Sequence, residues 1–476
     1  MKIYNKLILF FATVVLITSC GDEFLNPIPT SSVVATEFFS TDEEILAGIF
    51  GIYDAIQGVN ENTTTNINQV NRGIQFEYLV TEMRSDNARS ETTEGSKADF
   101  HRYIVDPNNI EAEDYYASMY EVIFRANNVL NFVDVANPDN IASYSAEARF
   151  LRAYAYFNLV RLYGDVPLVT SVILPTDESA FLRVPVAEVY AQIVSDLEEA
   201  ASVLSDGGPK VRASKSAAEA LLAKVYLSQP SPDYLAAQTL CETIIASQQF
   251  MLQDSFRDIF YNERNSELIW IVEYISGNAL ESQGFSAEFN FETGRQDGLN
   301  VPEPDLLSAF DQNGGLRTMH TFGTGTNNRT ENIKFLPDGF GIDDDYGPNS
   351  RSAGNDWIFI RYADVLLMHA EAILAGSQLT SSSNALESVN LVRARAGLDP
   401  LTESLSAEAL LLERRVELAF ENQRFFDLQR FGVINNTLQA YSDDAGYIFN
   451  LNQLLLPIPA REINLSRGVM SQNPGY

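Results

Sequence analysis

Two cysteines and three histidines are the only thiols and imidazoles in this 476-residue chain, and one of the five stands in a pattern with defined chemistry. Cys20 follows Ile17-Thr18-Ser19, and the apolar run 7–17 before it is preceded by Lys2 and Lys6. A basic start, an apolar stretch of about a dozen residues and a small-residue cleavage point make a secretory signal. The run is shorter than the roughly 20 residues of a membrane-spanning helix. A large aliphatic residue three positions before a cysteine, with a small one directly before it, is the bacterial lipobox. In it the cysteine becomes the mature N-terminus and carries diacylglycerol and an amide-linked acyl chain. Lipidation at Cys20 is therefore expected, each buried methylene contributing about 0.8 kcal/mol of membrane affinity. An ordinary cleaved signal followed by a chance cysteine is the alternative. With Cys20 acylated, Cys241 has no disulfide partner and reads as a small buried apolar residue.

The remaining catalytic inventory is thin. His101, His320 and His369 belong to no HExxH, GxSxG, Cys–His or P-loop pattern. Sixty-four carboxylates guarantee chance pairs, and nothing in the spacing singles out a glycosidase-like acid and base. Asp343-Asp344-Asp345, with Asp338 nearby, lacks the spacing and terminal glutamate of an EF-hand; it reads as a solvated acidic turn, a calcium ligand set being the alternative. No catalytic residue, metal or cofactor is expected. A net charge of −32 argues against nucleic acid as partner and against adsorption to anionic lipid.

Binding chemistry has two candidate stretches. Residues 71–103 hold Arg72, Phe76, Arg84, Asn87, Arg89 and His101; residues 284–295 hold Phe289 and Arg295, and the pattern continues to His320, Phe322 and Arg329. An aromatic face suits the C–H side of a pyranose, and planar amides, carboxylates and guanidinium groups suit its hydroxyls. Trp357, one of two tryptophans, lies in a strand-like run, 355–361. For each of these residues the competing reading is packing within its own segment. The Arg149/Arg152 and Arg414/Arg415/Arg424 clusters alternate with aromatics at helical spacing. They read as inter-helix pairs with Glu147, Glu413, Glu417, Glu421 and Asp427, because the planar guanidinium fork suits buried carboxylates and its stem covers apolar surface.

The elements that must position these residues are mostly helical. Ser40-Thr41-Asp42-Glu43-Glu44 is a cap and acidic first turn opening a helix through Ile56. Further helices are expected over 111–135, 145–162, 186–204, 214–227, 233–247, 362–375, 384–396 and 406–421. Helices of 14–20 residues joined by short turns, with alanines at close crossings, predict tetratricopeptide-like pairs, although the strict repeat consensus is absent. From 276 to 355 glycine, asparagine, aspartate and aromatics replace the helical period, as in a functional loop region.

Five stretches in order together resemble the SusD/RagB family of Bacteroidetes surface lipoproteins. They are Ala146 to Phe157 with Tyr163-Gly164-Asp165-Val166-Pro167-Leu168; Pro304-Asp305-Leu306-Leu307; Arg361 to Ala372; Glu413 to Glu421 with Arg424-Phe425-Phe426-Asp427-Leu428; and Leu456-Pro457-Ile458-Pro459 followed by Asn473-Pro474-Gly475-Tyr476. Asp22-Glu23 after Cys20 resembles the surface-export signal of that phylum.

The resemblance implies a mainly α fold, a right-handed scaffold of tetratricopeptide-like helix pairs with an irregular ligand face containing a few short strands. It implies a signal peptide (1–19), a lipidated tether (20–40) and one domain (41–476), divided into scaffold (41–250), loop-rich ligand-face insertion (251–360), C-terminal scaffold helices (361–432) and packing tail (433–476). Arg84-Ser85-Asp86-Asn87 recurs in the family, which leaves a structural role open. The function implied is non-catalytic capture of oligosaccharide at the cell surface. The protein would be anchored in the outer membrane by lipid and act as lid for a SusC-like TonB-dependent transporter. A peptide cargo, as in the RagB branch, and a surface glycoside hydrolase or lyase are the alternatives.

Overall fold

The computed structural model describes residues 38–60, 71–92, 95–173, 177–289, 298–325, 328–336 and 350–476. Cys20, Arg295 and Asp343-Asp344-Asp345 lie outside the described residues. The fold is mainly helical with small antiparallel sheets. Its scaffold helices are α1 (Asp42–Gln57), α2 (Ile110–Phe132), α3 (Pro138–Tyr163), α4 (Val186–Val203), α5 (Lys215–Ser228), α6 (Tyr234–Ser247), α7 (Pro304–Asn313), α8 (Tyr362–Leu374), α9 (Ser383–Arg395), α10 (Ala407–Glu417), α11 (Arg424–Arg430) and α12 (Ile434–Ala445). Each of α1 to α5 packs on the next, and α6 passes the stack to α8 and then α9. No helix among the described residues is long and apolar enough to cross a membrane.

Capping chemistry sets most helix starts. Thr41 Oγ1 accepts the Glu44 N–H at 3.3 Å while Ser40 donates its own N–H and hydroxyl to Glu44. Asn109, Ser214, Asp233 and Ser406 cap α2, α5, α6 and α10 through side-chain oxygens. Helix α3 begins seven residues before the expected 145, because Pro138 supplies a first-turn position that needs no N–H donor. Helix α10 stops at Glu417, four residues short of the expected 421. Phe420 and Asn422 have φ of +63° and +61°, and Glu82 Oε1 holds the Phe420 N–H at 3.1 Å. A contact 338 residues away in sequence thus ends the helix where local pattern would continue it.

Among the described residues ten short strands pair two by two: β1 (Ala88–Arg89), β2 (Val166–Pro167), β3 (Arg183–Val184), β4 (Leu268–Val272), β5 (Val301–Pro302), β6 (Phe322–Thr324), β7 (Thr330–Asn332), β8 (Trp357–Arg361), β9 (Leu379–Thr380) and β10 (Leu405–Ser406). The β4–β8 ribbon is pinned to α3 by rings. Trp270 stacks on Phe359 at 4.2 Å and meets Phe150 and Tyr154 edge-on at 4.7 and 5.1 Å. The end of α1 crosses residues 71–75 so closely that a Cβ on Gly58 would stand 2.1 Å from the Arg72 carbonyl carbon. With φ of +69°, the site accepts only glycine without strain.

The arginine clusters are architectural, though mostly with other partners than the expected ones. Arg152 grips Asp196 through Nε and Nη2 at 2.9 and 2.8 Å, and Arg149 reaches Asp196 and Glu199. Glu147 pairs with Arg212 instead. Arg424 holds Asp86 with two 2.8 Å bonds, and Arg415 reaches Asp86 and Asp305. Arg414–Asp427, at 3.0 Å, is the expected pair that forms. At the centre, Arg361, 1% exposed, meets Glu267, Glu417 and Glu421, while Arg317 and Arg395 share Glu417 and Lys334 takes Glu421 at 2.5 Å.

The tail closes the molecule. Arg84 Nη2 donates to the carbonyls of Gln453 and Leu454 at 2.8 and 3.0 Å, and the Leu456 N–H donates to the Leu162 carbonyl at 2.7 Å. Asn473 Nδ2 donates to Tyr163 O and Leu456 O at 2.9 and 2.8 Å. Cys241 is buried and free, and burial pushes its thiol well up, as fits an inert core residue.

A partly buried acid carries a pH signature. Asp356 accepts the Tyr274 N–H at 3.1 Å, and burial, with Glu263 and Glu273 adding repulsion, raises it to about 8. An acid raised in the folded state supports stability below its unfolded pKa near 4 and loses that support as pH rises toward 8. Asp356→Asn is therefore expected to leave stability unchanged at pH 4 and to raise it by about 1–3 kcal/mol at pH 9. Denaturant melts across pH 4–9 check this, and a constant difference between the two proteins would contradict it.

Candidate functional site

A partly exposed polar rim beside the loop-rich region is organised by β1 and β5, whose register pairs Ala88 with Pro302 and Arg89 with Val301. Arg89, 30% exposed, donates through Nη1 to Pro302 O at 3.0 Å and Glu303 Oε2 at 3.1 Å, and through Nη2 to Glu91 Oε1 at 2.9 Å. Glu91 in turn meets Arg329, half exposed, at 3.3 Å. Glu303 also accepts the Tyr441 hydroxyl at 2.8 Å. Burial, then Glu303, pushes the Tyr441 phenol well up, so it stays a hydrogen-bond donor. The result is a ribbon of alternating guanidinium and carboxylate groups ending on a phenol.

Rings continue the rim. Tyr447 lies 6.2 Å from Tyr441 and 5.6 Å edge-on to His101. Burial, then Arg102 and Arg89, lowers His101 to about 4, so its imidazole is neutral at physiological pH. It is packing here and neither base nor cation. Beside the ribbon a cleft of about 560 Å³ runs between α7 and α12, lined by Glu303, Asp305, Ser308, Thr437, Tyr441 and Asp444. Donors and acceptors on planar groups, with partly exposed tyrosine faces, can hold a polyhydroxylated ligand. Among the described residues no group of three or more His, Cys, Asp or Glu is arranged to hold a metal ion.

The residues singled out from sequence divide sharply. Arg89 is on the rim. Arg72, Phe76, Arg84, Asn87, Phe289 and Trp357 are interior, each at most 6% exposed, and direct ligand contact by them is revised accordingly. Arg72 pairs with Glu111 at 2.8 Å and with Asp114, and lies 4.2 Å over the Phe76 ring, which Lys97 also approaches at 4.4 Å. Arg84 ties the tail and covers Phe425. Asn87 bridges Glu82 and Arg415 at 2.8 Å each. Phe289 meets Tyr78 edge-on at 4.8 Å, and Trp357 packs between Phe285 and Phe335 at 5.5 and 5.3 Å. All six belong to the packed interior. Sequence reasoning passed over Glu303, Tyr441 and Tyr447. The last two fall in the segment read as a packing tail, and the one available signal was two tyrosines six residues apart flanking the acidic Asp443-Asp444.

Known proteins share this architecture. Residues 37–227 match the family model described as starch-binding associating with outer membrane, and residues 307–476 match that of the SusD family. SusD-like protein P2 of Formosa agariphila is 26% identical over the whole of both chains. The starch-binding protein SusD of Bacteroides thetaiotaomicron is 24% identical over 70% of this chain and 72% of its own. Among solved structures, a laminarin-binding SusD-like protein superposes with a TM-score of 0.75 at 27% identity, over 92% of this chain and all of that one. A SusD homologue from Bacteroides thetaiotaomicron, 21% identical, superposes at 0.78 over 93% and 98% and shares the fold.

Proposed function

The chain belongs to the SusD/RagB family, and from that membership we propose a non-catalytic lipoprotein that captures oligosaccharide outside the outer membrane and acts as lid for a SusC-like TonB-dependent transporter. The observation that carries the binding half is the Arg89–Glu91–Glu303–Tyr441 ribbon beside an open cleft. Its groups are prearranged by each other, so a sugar hydroxyl can exchange for an existing bond at small ordering cost. The laminarin-binding relative supports a glucan as first cargo to try. The ribbon also supports binding over hydrolysis. Glu303 is held between Arg89 and Tyr441, so both oxygens of its carboxylate are already engaged.

Affinity electrophoresis of the chain without residues 1–19 against a polysaccharide panel, with calorimetry on the retarding glycan, tests this. Arg89→Ala removes the hub of the ribbon and is expected to weaken binding roughly tenfold or more, a charge-assisted hydrogen bond contributing about 1.5–3 kcal/mol. Its stability should change by less than about 1 kcal/mol, because the pairs are partly exposed. Retardation by no glycan, together with heat on adding peptide mixtures, would favour the peptide alternative. Released sugars in chromatography would favour a hydrolase. Pull-down of the native lipoprotein should bring down an outer-membrane barrel.

A further inference from the structure

A second cleft, about 570 Å³, opens on the scaffold between α4, α5, α11 and the start of α12. Its volume lies within the ~300–1,000 Å³ of small-ligand sites. Its lining is unusual for so acidic a chain. Arg161, Tyr190, Gln229, Gln429, Arg430 and Asn435 supply the polar groups, and no carboxylate is among the lining residues. The rim cleft and two others on the surface each include carboxylates, such as Asp54, Glu273 and Glu281 in one and Glu121 and Glu462 in another.

The two guanidinium groups differ. Arg430, its side chain 5% exposed, is neutralised by Glu371 at 2.7 and 3.0 Å and by Asp427 at 2.6 Å, though its Nη1 lacks a partner. Arg161 is clamped between the rings of Phe157 and Phe426 at 3.8 and 3.7 Å. It donates Nε to Phe157 O at 3.1 Å and Nη2 to Asn158 Oδ1 at 2.6 Å. Among the described residues Arg161 forms no ion pair within 4 Å, and the buried Glu77 attracts it only at longer range. Burial lowers Arg161 to about 10, which leaves it charged and poorly solvated at neutral pH. A desolvated cation held rigidly by two aromatic faces favours an anion.

We propose that this cleft is a second saccharide subsite that takes a sugar bearing a carboxylate, with Arg161 on the carboxylate and the Gln229, Gln429 and Asn435 amides on the hydroxyls. One guanidinium outside any ion pair matches one negative charge, and neutral amides match a ring of hydroxyls better than they match a second charge. The inference rests on the carbohydrate-binding reading above.

Saturation-transfer NMR and titration of the full mature chain with D-glucuronate, beside D-glucose and inorganic sulfate, test it. Glucuronate is expected to bind roughly tenfold tighter than glucose or sulfate. Asn435 is exposed, and Asn435→Asp sets a carboxylate in the cleft without touching the core. It should weaken glucuronate roughly tenfold by like-charge repulsion. Melting temperature and rim binding of neutral glycan should stay unchanged. Arg161→Gln should abolish the preference for glucuronate over glucose. Equal binding of glucuronate and glucose, indifference to Asn435→Asp, or sulfate binding as tightly as glucuronate would overturn the assignment. A chain that binds neutral glycan but fails these tests loses only this subsite. A chain that binds glucuronate here and no neutral glycan loses the rim reading and keeps the subsite.

Discussion

Replacing Arg361 with leucine is expected to cost the protein its fold. The guanidinium is the common partner of three buried carboxylates: Glu267 at 2.9 Å, Glu421 at 2.7 and 2.8 Å, and Glu417, whose carbonyl it also takes at 2.8 Å. Burial alone would lower Arg361, but Glu421, Glu417 and Glu267 raise it well above its ordinary value. Burial likewise acts to raise Glu417, and Arg395, Arg361 and Arg317 outweigh it and hold that carboxyl far below the usual range. Leucine has a similar stem but leaves the acids without a charge that all of them share. Removing one partner of a buried pair costs about 3–5 kcal/mol, comparable to the whole stability of many domains. Soluble yield and urea melts at pH 7 would show it; a melt within about 1 kcal/mol of wild type would contradict the role of hub. Depressed carboxylates contribute stability above their unfolded pKa near 4.5 and lose it as pH falls. The variant should accordingly lose most of its deficit in acid, where wild type weakens too.

The second large effect concerns attachment. Cys20→Ala removes the sulfur to which the acyl chains would be joined, and the mature body is strongly acidic. One myristoyl-sized chain binds membranes only reversibly, whereas two or more hold a protein there, so the difference is close to all or none. Wild type should partition into the detergent phase and be shaved from intact cells by added protease. The alanine form should stay in the aqueous phase and be protected. Membrane retention of Cys20→Ala at wild-type level would remove the lipoprotein half of the proposed function.

The scaffold was legible because its signals are local. Thr41, Asn109, Ser214, Asp233 and Ser406 mark helix starts within three residues of the groups they cap, and apolar periodicity carries each helix to near its end. Where an end is set from afar, as at Glu417, the pattern overran it. The binding residues were less legible for a related reason. Guanidinium, amide and phenyl groups suit a sugar, and the same types make buried pairs in a chain this rich in carboxylates. Asn87 and Arg415 sit 328 residues apart, so nothing near Asn87 in sequence tells that its amide is already engaged. Arg89, two positions on, differs only in lying where a two-residue strand comes to the surface.

The locking of residues 453–473 against Arg84, Leu162 and Tyr163 bears on how the molecule is made. Carbonyls at the end of α3 stay open until a segment 310 residues further along the chain reaches them. Closing such a distant contact costs loop entropy before it returns any bonding, so this docking belongs to a late step of folding.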